Sequence, residues 1–278
     1  MAKLLPLRDH HIVGIRERWY SESHPEVNKQ EFLPLAREWF LSTKINQLDG
    51  VDQFPFQDVI HGCTHYIENL VLKHGWSGIQ VLNYEYAYYG LMGKHGVTPD
   101  QLQAEMPLIV SLPNWRWLDL RADWPEILKI CEQRRIPIHI DMAWITAAQG
   151  IELDLAHPAI ESFAMSLSKY AMEWNRVGIR WCRQRTMDSI TIFNHFERSA
   201  NTGLTSAGAW IIDQLPRDYG WINYGQRHQE ISQRLAAQPS NIIHAVLKDS
   251  EPYGIADLLV SDTAFAAQDL ESPPQHRQ

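Results

Sequence analysis

The sequence has few cysteines, no long apolar run and fewer basic than acidic residues. Its three cysteines, Cys63, Cys131 and Cys182, lie far apart in 278 residues. This odd number excludes a disulfide scaffold and predicts reduced thiols in a cytoplasmic protein. No stretch reaches the about 18 apolar residues that a membrane-spanning helix needs. The N-terminal segment is too polar for a secretory signal, so we expect no membrane partner.

The charge balance argues against a polyanionic partner. The chain has 33 acidic and 25 basic residues, which gives a formal net charge of −8. A field of this sign repels nucleic acid and anionic lipid, and no run of Lys or Arg offsets it locally. We therefore expect no nucleic-acid partner.

What the sequence does contain is an alternation of helix-like and strand-like segments. Helical periodicity predicts helices at 31–45, 65–73, 99–105, 124–135, 205–215 and 224–236. Short apolar runs predict strands at 58–62, 78–82, 108–112, 136–140, 160–167 and 191–194. Alternating strands and helices are typical of an α/β fold with a mostly parallel sheet flanked by helices.

Polar residues follow most of the predicted strands. In an open α/β sheet, ligands bind beyond the carboxyl ends of the strands, so these residues mark the candidate site. They form five groups, which are Gly62-Cys63-Thr64, Asn83 to Tyr86, Pro113-Asn114-Trp115, Asp141 to Trp144, and Ser166 to Lys169.

Two segments carry a family resemblance. HIDMAW at 139–144 resembles the D-x-A-Y element of the class I/II aminotransferases, and SLSKYAMEWNRVG at 166–178 resembles their S-x-x-K…R-V-G element. Order and spacing extend the resemblance over roughly residues 50–240. It implies the aspartate-aminotransferase fold, also called fold type I, and the cofactor pyridoxal 5'-phosphate.

The resemblance implies the two catalytic roles. Lys169 would form the Schiff base with the aldehyde of the cofactor, and once released would act as the base that moves the α-proton. Asp141 would pair with the pyridinium nitrogen of the cofactor and keep it protonated, so that the cofactor ring can act as an electron sink. Without the resemblance, Lys169 would be read as a surface lysine and Asp141 as a turn cap.

The same resemblance implies the remaining cofactor contacts. Gly62, Cys63 and Thr64 match a phosphate-binding turn at a helix N-terminus. The other matched residues are Ser166, Ser168 and Arg176 near the phosphate, and Tyr86, Asn114 and Trp144 around the ring. Arg180 is the alternative to Arg176, because the spacing from Lys169 to Arg176 is one residue shorter than usual. Asn114 could instead be an ordinary turn residue, and Tyr86 part of an aromatic core strand.

Departures from the family pattern concern the substrate side of the site. Trp144 stands where the family has a tyrosine, and an indole N–H can neither ionise nor accept a hydrogen bond. No arginine lies between Arg234 and Arg277, so the family's substrate-binding arginine has no counterpart. We expect an N-terminal arm at 1–48, a cofactor-binding domain at 49–237, a vestigial small domain at 238–267 and a disordered tail at 268–278.

The sequence leaves competing functions open. His61, Cys63, His65 and Glu68 could suggest a metal site, but the strand-to-helix break at Gly62 argues against it, and we expect no metal. Our hypothesis is an aminotransferase, forming a homodimer, that acts on amino and oxo acids. The alternatives are a lyase or decarboxylase with the same cofactor, or a non-catalytic binding module.

Overall fold

The computed structural model describes residues 4–172, 176–196 and 202–261. The helices are α1 (His10–Ser21), α2 (Lys29–Leu41), α3 (Gly62–His74), α4 (Ala87–Leu91), α5 (Trp124–Arg134), α6 (Ser189–Phe196), α7 (Thr202–Gln214), α8 (Tyr219–Arg234) and α9 (Ala256–Val260). The strands are β1 (Gln47–Asp49), β2 (Phe56–Ile60), β3 (Gln80–Val81), β4 (Leu108–Ser111), β5 (Ile138–Asp141), β6 (Glu152–Asp154), β7 (Ile160–Ser166), β8 (Gly178–Cys182), β9 (Ala245–Lys248) and β10 (Glu251–Gly254).

A six-stranded sheet with the order β2-β8-β7-β5-β4-β3 organises the fold. Strands β3, β4, β5 and β7 run parallel, and β8 runs antiparallel to both of its neighbours, β7 and β2. Strands β1 and β6 form a small parallel pair, and β9 and β10 form a hairpin. The mixed α/β architecture with a mostly parallel sheet is therefore confirmed.

The central strands are buried on both faces, which explains their continuous apolar sequences. Every residue of β4 and β5 is buried. Along β4, Ile109 packs into the apolar cluster around α3, whereas Leu108 and Val110 pack into the larger cluster on the opposite face. This alternation follows from the two-residue period of a strand, and it fixes which side chains reach each face.

One predicted strand is wrong. The segment 191–194 lies in helix α6, not in the sheet. The Asp188 carboxylate accepts a hydrogen bond from the Thr191 N–H at 3.0 Å and so stabilises the first helical turn. A short apolar run without clear periodicity does not distinguish a strand from a buried helix, which accounts for the error.

The chain after α8 folds back as the β9–β10 hairpin and the short helix α9. The expected tail at 268–278, and the end of the segment expected as a small domain, lie outside the described residues. Among the residues that the structure describes, no helix is long and apolar enough to cross a membrane.

Gly178 allows β7 and β8 to approach each other directly below the candidate site. It pairs with Ser166 across the two strands. A Cβ at this position would lie 2.1 Å from the Met165 carbonyl oxygen and 2.8 Å from the Ser166 Cα. Because backbone atoms cannot rotate away as a side chain can, only glycine fits here.

We predict that Gly178→Ala lowers the free energy of unfolding by about 2–3 kcal/mol, since the added methyl forces the two strands apart. Urea denaturation measures this change. Gly90→Ala is the matched control, because a Cβ there meets nothing within 4 Å. Equal stability of the two variants would contradict this account of the strand packing.

Candidate active site

A cleft lies where the carboxyl ends of β4, β5 and β7 meet the N-terminus of α3. It is lined by Cys63, Thr64, Tyr86, Ser111, Trp115, Asp141, Ala143, Trp144, Ser168, Lys169 and Arg176. Eight of the eleven predicted site residues belong to this lining. The parallel strands bring them together because their ends share one edge of the sheet.

Lys169 lies on the helical turn Leu167–Lys169 that directly follows β7. Its Nζ atom sits 4.6 Å from the centroid of the Trp144 ring. Burial lowers the pKa of this amine, and the positive charge of Arg176 lowers it further, while the Asp141 carboxylate opposes both effects. A lysine with a lowered pKa spends more time as the neutral, nucleophilic amine.

Asp141 ends β5 and is only 6% exposed. Its Oδ1 atom accepts a hydrogen bond from the Ala143 N–H at 2.9 Å, which orients the carboxyl group. Burial raises the pKa of Asp141, whereas the Ala143 N–H, the Cys63 thiol and the Lys169 charge lower it. Among the described residues, no cation lies within ion-pair distance of this carboxylate, although it lines the cleft.

The N-terminus of α3 and Arg176 form a second, electropositive part of the cleft. The first N–H groups of a helix have no partner within the helix and carry its positive dipole end. Gly62 begins α3 with φ of 76°, and a Cβ there would lie 3.1 Å from the Cβ of Arg176. Arg176 therefore packs directly over this turn. The Thr64 hydroxyl adds a further donor, so this end suits a bound anion.

The serines that precede Lys169 are linked to each other. Ser166 is fully buried and lies outside the cleft lining, but its Oγ atom is 2.8 Å from the Oγ atom of Ser168. Ser168 itself lines the cleft. The structure thus places Ser166 behind Ser168, so that it acts on the cleft through this hydrogen bond.

Arg180, the alternative to Arg176, is engaged elsewhere. Its guanidinium forms ion pairs with Asp58 at 2.6 Å and with Asp188 at 2.5 Å. These pairs connect β8 to β2 and to the start of α6. Arg180 thus stabilises the sheet edge, and Arg176 is the arginine that reaches the cleft.

The structure does not bring Asn114 into the cleft. The Asn114 side chain donates to the Tyr84 carbonyl at 3.3 Å and accepts from the Arg116 N–H at 2.8 Å. It therefore organises the turn after β4, in agreement with the turn-residue alternative.

The aromatic wall of the cleft consists of Tyr86, Trp144 and Trp115. Trp115 belongs to a strand-end group marked from the sequence, but no role was assigned to it there. Its Nε1 atom donates to the Glu85 carbonyl at 2.9 Å, which fixes the indole in the cleft lining. Its position after β4 was the available signal, but apolar packing explains most tryptophans equally well.

Sequence reasoning missed Ser111 and gave no role to Glu85, although Glu85 belongs to the marked group Asn83 to Tyr86. Ser111 pairs with Asp141 in the sheet register and lines the cleft, and its hydroxyl is buried. Behind it, the Glu85 carboxylate accepts the Ser111 N–H at 3.0 Å, with Arg121 3.9 Å away. Burial raises the pKa of Glu85 to about 8 despite these partners.

The histidines near α3 do not assemble a metal site. The His61 N–H donates to the His65 Nδ1 at 3.2 Å, and burial lowers the pKa of His65 to about 4. Across residues 4–172, 176–196 and 202–261, no three His, Cys, Asp or Glu side chains lie close enough to hold a metal ion.

Comparison with known proteins gives structural matches only, since no family model and no curated protein matches the sequence. YbdL from Escherichia coli, identified as having a methionine aminotransferase function, matches with a TM-score of 0.59 and 14% identity over 88% of this chain and 76% of that one. A PLP-bound C-S lyase from Staphylococcus hominis matches with a TM-score of 0.57 and 12% identity over 87% and 74%.

An alanine aminotransferase from Pyrococcus furiosus matches with a TM-score of 0.56 and 16% identity over 85% of this chain and 71% of that one. These enzymes are of two reaction classes but share one architecture. The chain has this architecture, so the aminotransferase-like fold type I expected from the segments 139–144 and 166–178 is confirmed.

Proposed function

We propose that the protein is a pyridoxal-phosphate-dependent aminotransferase that acts on an amino acid or related amine, with an oxo acid as acceptor. One observation carries the proposal. Lys169, Asp141 and the anion-binding end at Thr64 and Arg176 line the same cleft, at the strand ends of the matching fold.

The residues present fit this cofactor chemically. Asp141 is a buried carboxylate without a cationic partner in the described residues, which suits a protonated ring nitrogen. The α3 N-terminus, Thr64 and Arg176 would hold the phosphate, and Tyr86, Trp115 and Trp144 would surround the ring. When bound, the cofactor supplies an electron sink for the electron pair left when a bond to the substrate α-carbon breaks.

The chain's own groups supply binding and proton transfer. The Lys169 Nζ atom is the amine that would hold the cofactor covalently, and in the free form it can take a proton from the substrate α-carbon and return it. Its lowered pKa keeps it available as a base. The Trp144 ring beside Nζ excludes water from one side of this transfer.

The Glu85 carboxyl group lies behind Ser111, outside the cleft lining, and its protonation state bears on Asp141. Since the pKa of Glu85 is about 8, this group is mostly neutral at pH 7. Asp141 is the carboxyl group that lines the cleft, together with Lys169. A neutral Glu85 also avoids like-charge repulsion that would raise the pKa of Asp141 further.

The proposal extends to a cytoplasmic homodimer. The three cysteines are free and buried, in keeping with a reducing compartment. Around α4, next to the cleft mouth, Tyr84, Leu91 and Met92 are exposed by 62%, 86% and 49%. An apolar surface of this kind beside a site favours a protein partner, for which we propose a second copy of the chain.

For the cofactor, we predict that adding pyridoxal phosphate to the protein produces a visible absorption band. After borohydride reduction, the mass of the cofactor should remain on the peptide that contains Lys169. Lys169→Ala should abolish both signals. Lys248→Ala is the matched control, because Lys248 also lies over an aromatic ring, 5.6 Å from the centroid of Tyr253, but outside the cleft. Wild-type protein without the band would refute cofactor binding.

For the reaction, we predict that ¹⁵N passes from a labelled amino acid to an oxo acid, and that no turnover occurs without the oxo acid. Amino-acid panels followed by mass spectrometry measure this transfer. Release of ammonia and a thiol from a thioether amino acid, without an oxo acid, would instead identify a lyase. Cofactor binding without turnover of any amino acid would favour the alternative function, a non-catalytic binding module.

For pH dependence, we predict that Glu85→Gln stabilises the protein increasingly as the pH rises from 5 to 9. The folded pKa of about 8 exceeds the ordinary value of 4.5, so the folded state holds the proton more tightly. The contribution of Glu85 to wild-type stability must therefore fall with pH between these values, by up to about 1.4 kcal/mol per unit, and glutamine removes this loss.

Urea denaturation at pH 5, 7 and 9 measures the difference between variant and wild type. Glu126→Gln is the control, because this glutamate of α5 is exposed to solvent. A difference that stays constant with pH would show that Glu85 does not titrate in this range.

A further inference from the structure

The segment that follows α8 is hydrogen-bonded to the loop that follows Trp144. The Ile243 N–H donates to the Ala147 carbonyl at 3.0 Å, and the Gln149 N–H donates to the Asn241 carbonyl at 2.9 Å. The Ile255 N–H then donates to the His244 carbonyl at 2.8 Å, which ties in the start of α9. Residues 241–245, which we call the strap, are thus fastened to the back of the cleft.

His244 is the residue of the strap that contacts the lysine. It is 1% exposed, and its Nε2 atom lies 2.8 Å from the Lys169 carbonyl oxygen. Its ring centroid is 6.0 Å from that of Trp144, and the Lys169 Nζ atom lies 4.6 Å from the same Trp144 ring. Lys169 is therefore held at its backbone by His244 and flanked at its amine by the ring that His244 supports.

The protonation state of His244 follows from these contacts. A carbonyl oxygen only accepts, so Nε2 must carry the proton that bonds to Lys169. The other nitrogen, Nδ1, is buried and has no hydrogen-bond partner among the residues that the structure describes. Burial also lowers the pKa of His244 to about 4, so the ring stays neutral at physiological pH. A neutral ring fixes the backbone of Lys169 without adding a positive charge next to its amine.

We infer that His244 is a positioning residue that keeps the Lys169 amine in its partly desolvated place beside Trp144. The inference rests on the proposed role of Lys169 and goes beyond it, because it assigns a task to the chain after α8. Within the described residues, His244 provides the single hydrogen bond to the Lys169 carbonyl. Without it, the turn Leu167–Lys169 could move and expose the amine to water.

The test measures the pKa of Lys169 in the protein without cofactor. Besides His244, the groups that face this amine are Arg176, Asp141 and Cys63, and they stay unchanged in the variants. Competitive labelling with an amine-reactive reagent across pH, followed by peptide mass spectrometry, gives the pKa.

His244→Leu should raise the pKa of Lys169 toward its ordinary value of 10.5, since burial is the largest cause of its lowering. A rise of about one unit corresponds to a roughly tenfold smaller neutral fraction below the pKa. His244→Gln keeps an N–H donor and should retain most of the wild-type pKa. If His244→Leu does not fold, His244→Asn, whose amide is too short to reach the carbonyl, serves in its place.

His228→Leu is the matched control. His228 is also 1% exposed and its Nε2 atom also lies 2.8 Å from a backbone carbonyl, that of Ala245 in the same region. It has no hydrogen bond to Lys169, so its loss should lower stability and leave the lysine pKa unchanged. An equal pKa shift in both variants, or no shift in a folded His244→Leu protein, would overturn the inference.

This measurement separates the inference from the proposed function. Labelling requires no cofactor, so it decides the positioning role even if the wild-type protein binds no pyridoxal phosphate. In cofactor-binding protein, His244→Leu should also weaken the affinity for pyridoxal phosphate, while His228→Leu should not. Unchanged affinity for pyridoxal phosphate together with an unchanged pKa of Lys169 would show that His244 has no positioning role.

Discussion

The burial of Asp141 and the partial burial of Lys169, at the ends of neighbouring strands, are the constraint on which the rest of the site depends. Each group loses hydration, and burial is the largest influence on both pKa values, acting in the direction that disfavours charge. No direct ion pair between them offsets this cost. The cleft therefore holds two ionisable groups that do not pair with each other, which lowers the stability of the free protein. A ligand with a charged partner for each of them meets both groups already in place.

The sequence predicts which strand ends form this site better than it predicts the contacts between the side chains there. Continuous apolar runs locate β4, β5 and β7, and strand-end geometry then predicts that Asp141 and Lys169 converge. What escapes prediction depends on contacts between distant residues. Asp58 and Asp188 bind Arg180, whereas Arg176 reaches the cleft, and the hydrogen bond from His244 to Lys169 spans 75 positions. Local pattern carries no signal for such pairs.

Trp144 and His244 both contact Lys169 and together form one arrangement around it. An indole in place of the family's tyrosine cannot exchange a proton, but its face lies beside the Lys169 amine. His244 in the strap packs near this ring, with 6.0 Å between the two ring centroids. The strap after α8 therefore contacts the candidate site at the backbone of Lys169 and at the Trp144 ring.

Charge within the cleft bears on where a substrate carboxylate would bind under the proposed function. The cations among the lining residues are Lys169 and Arg176, and the anion is Asp141. A bound phosphate would occupy Arg176 and the α3 N-terminus, and the cofactor aldehyde would occupy Lys169, so no further cation among the described lining residues is left for a substrate carboxylate. Arg18 of the N-terminal region donates to Gln214 and lies over Trp210, and it is not a lining residue. Under the proposed homodimer, a second copy seated on the exposed residues around α4 is one source of such a cation at the mouth of the cleft.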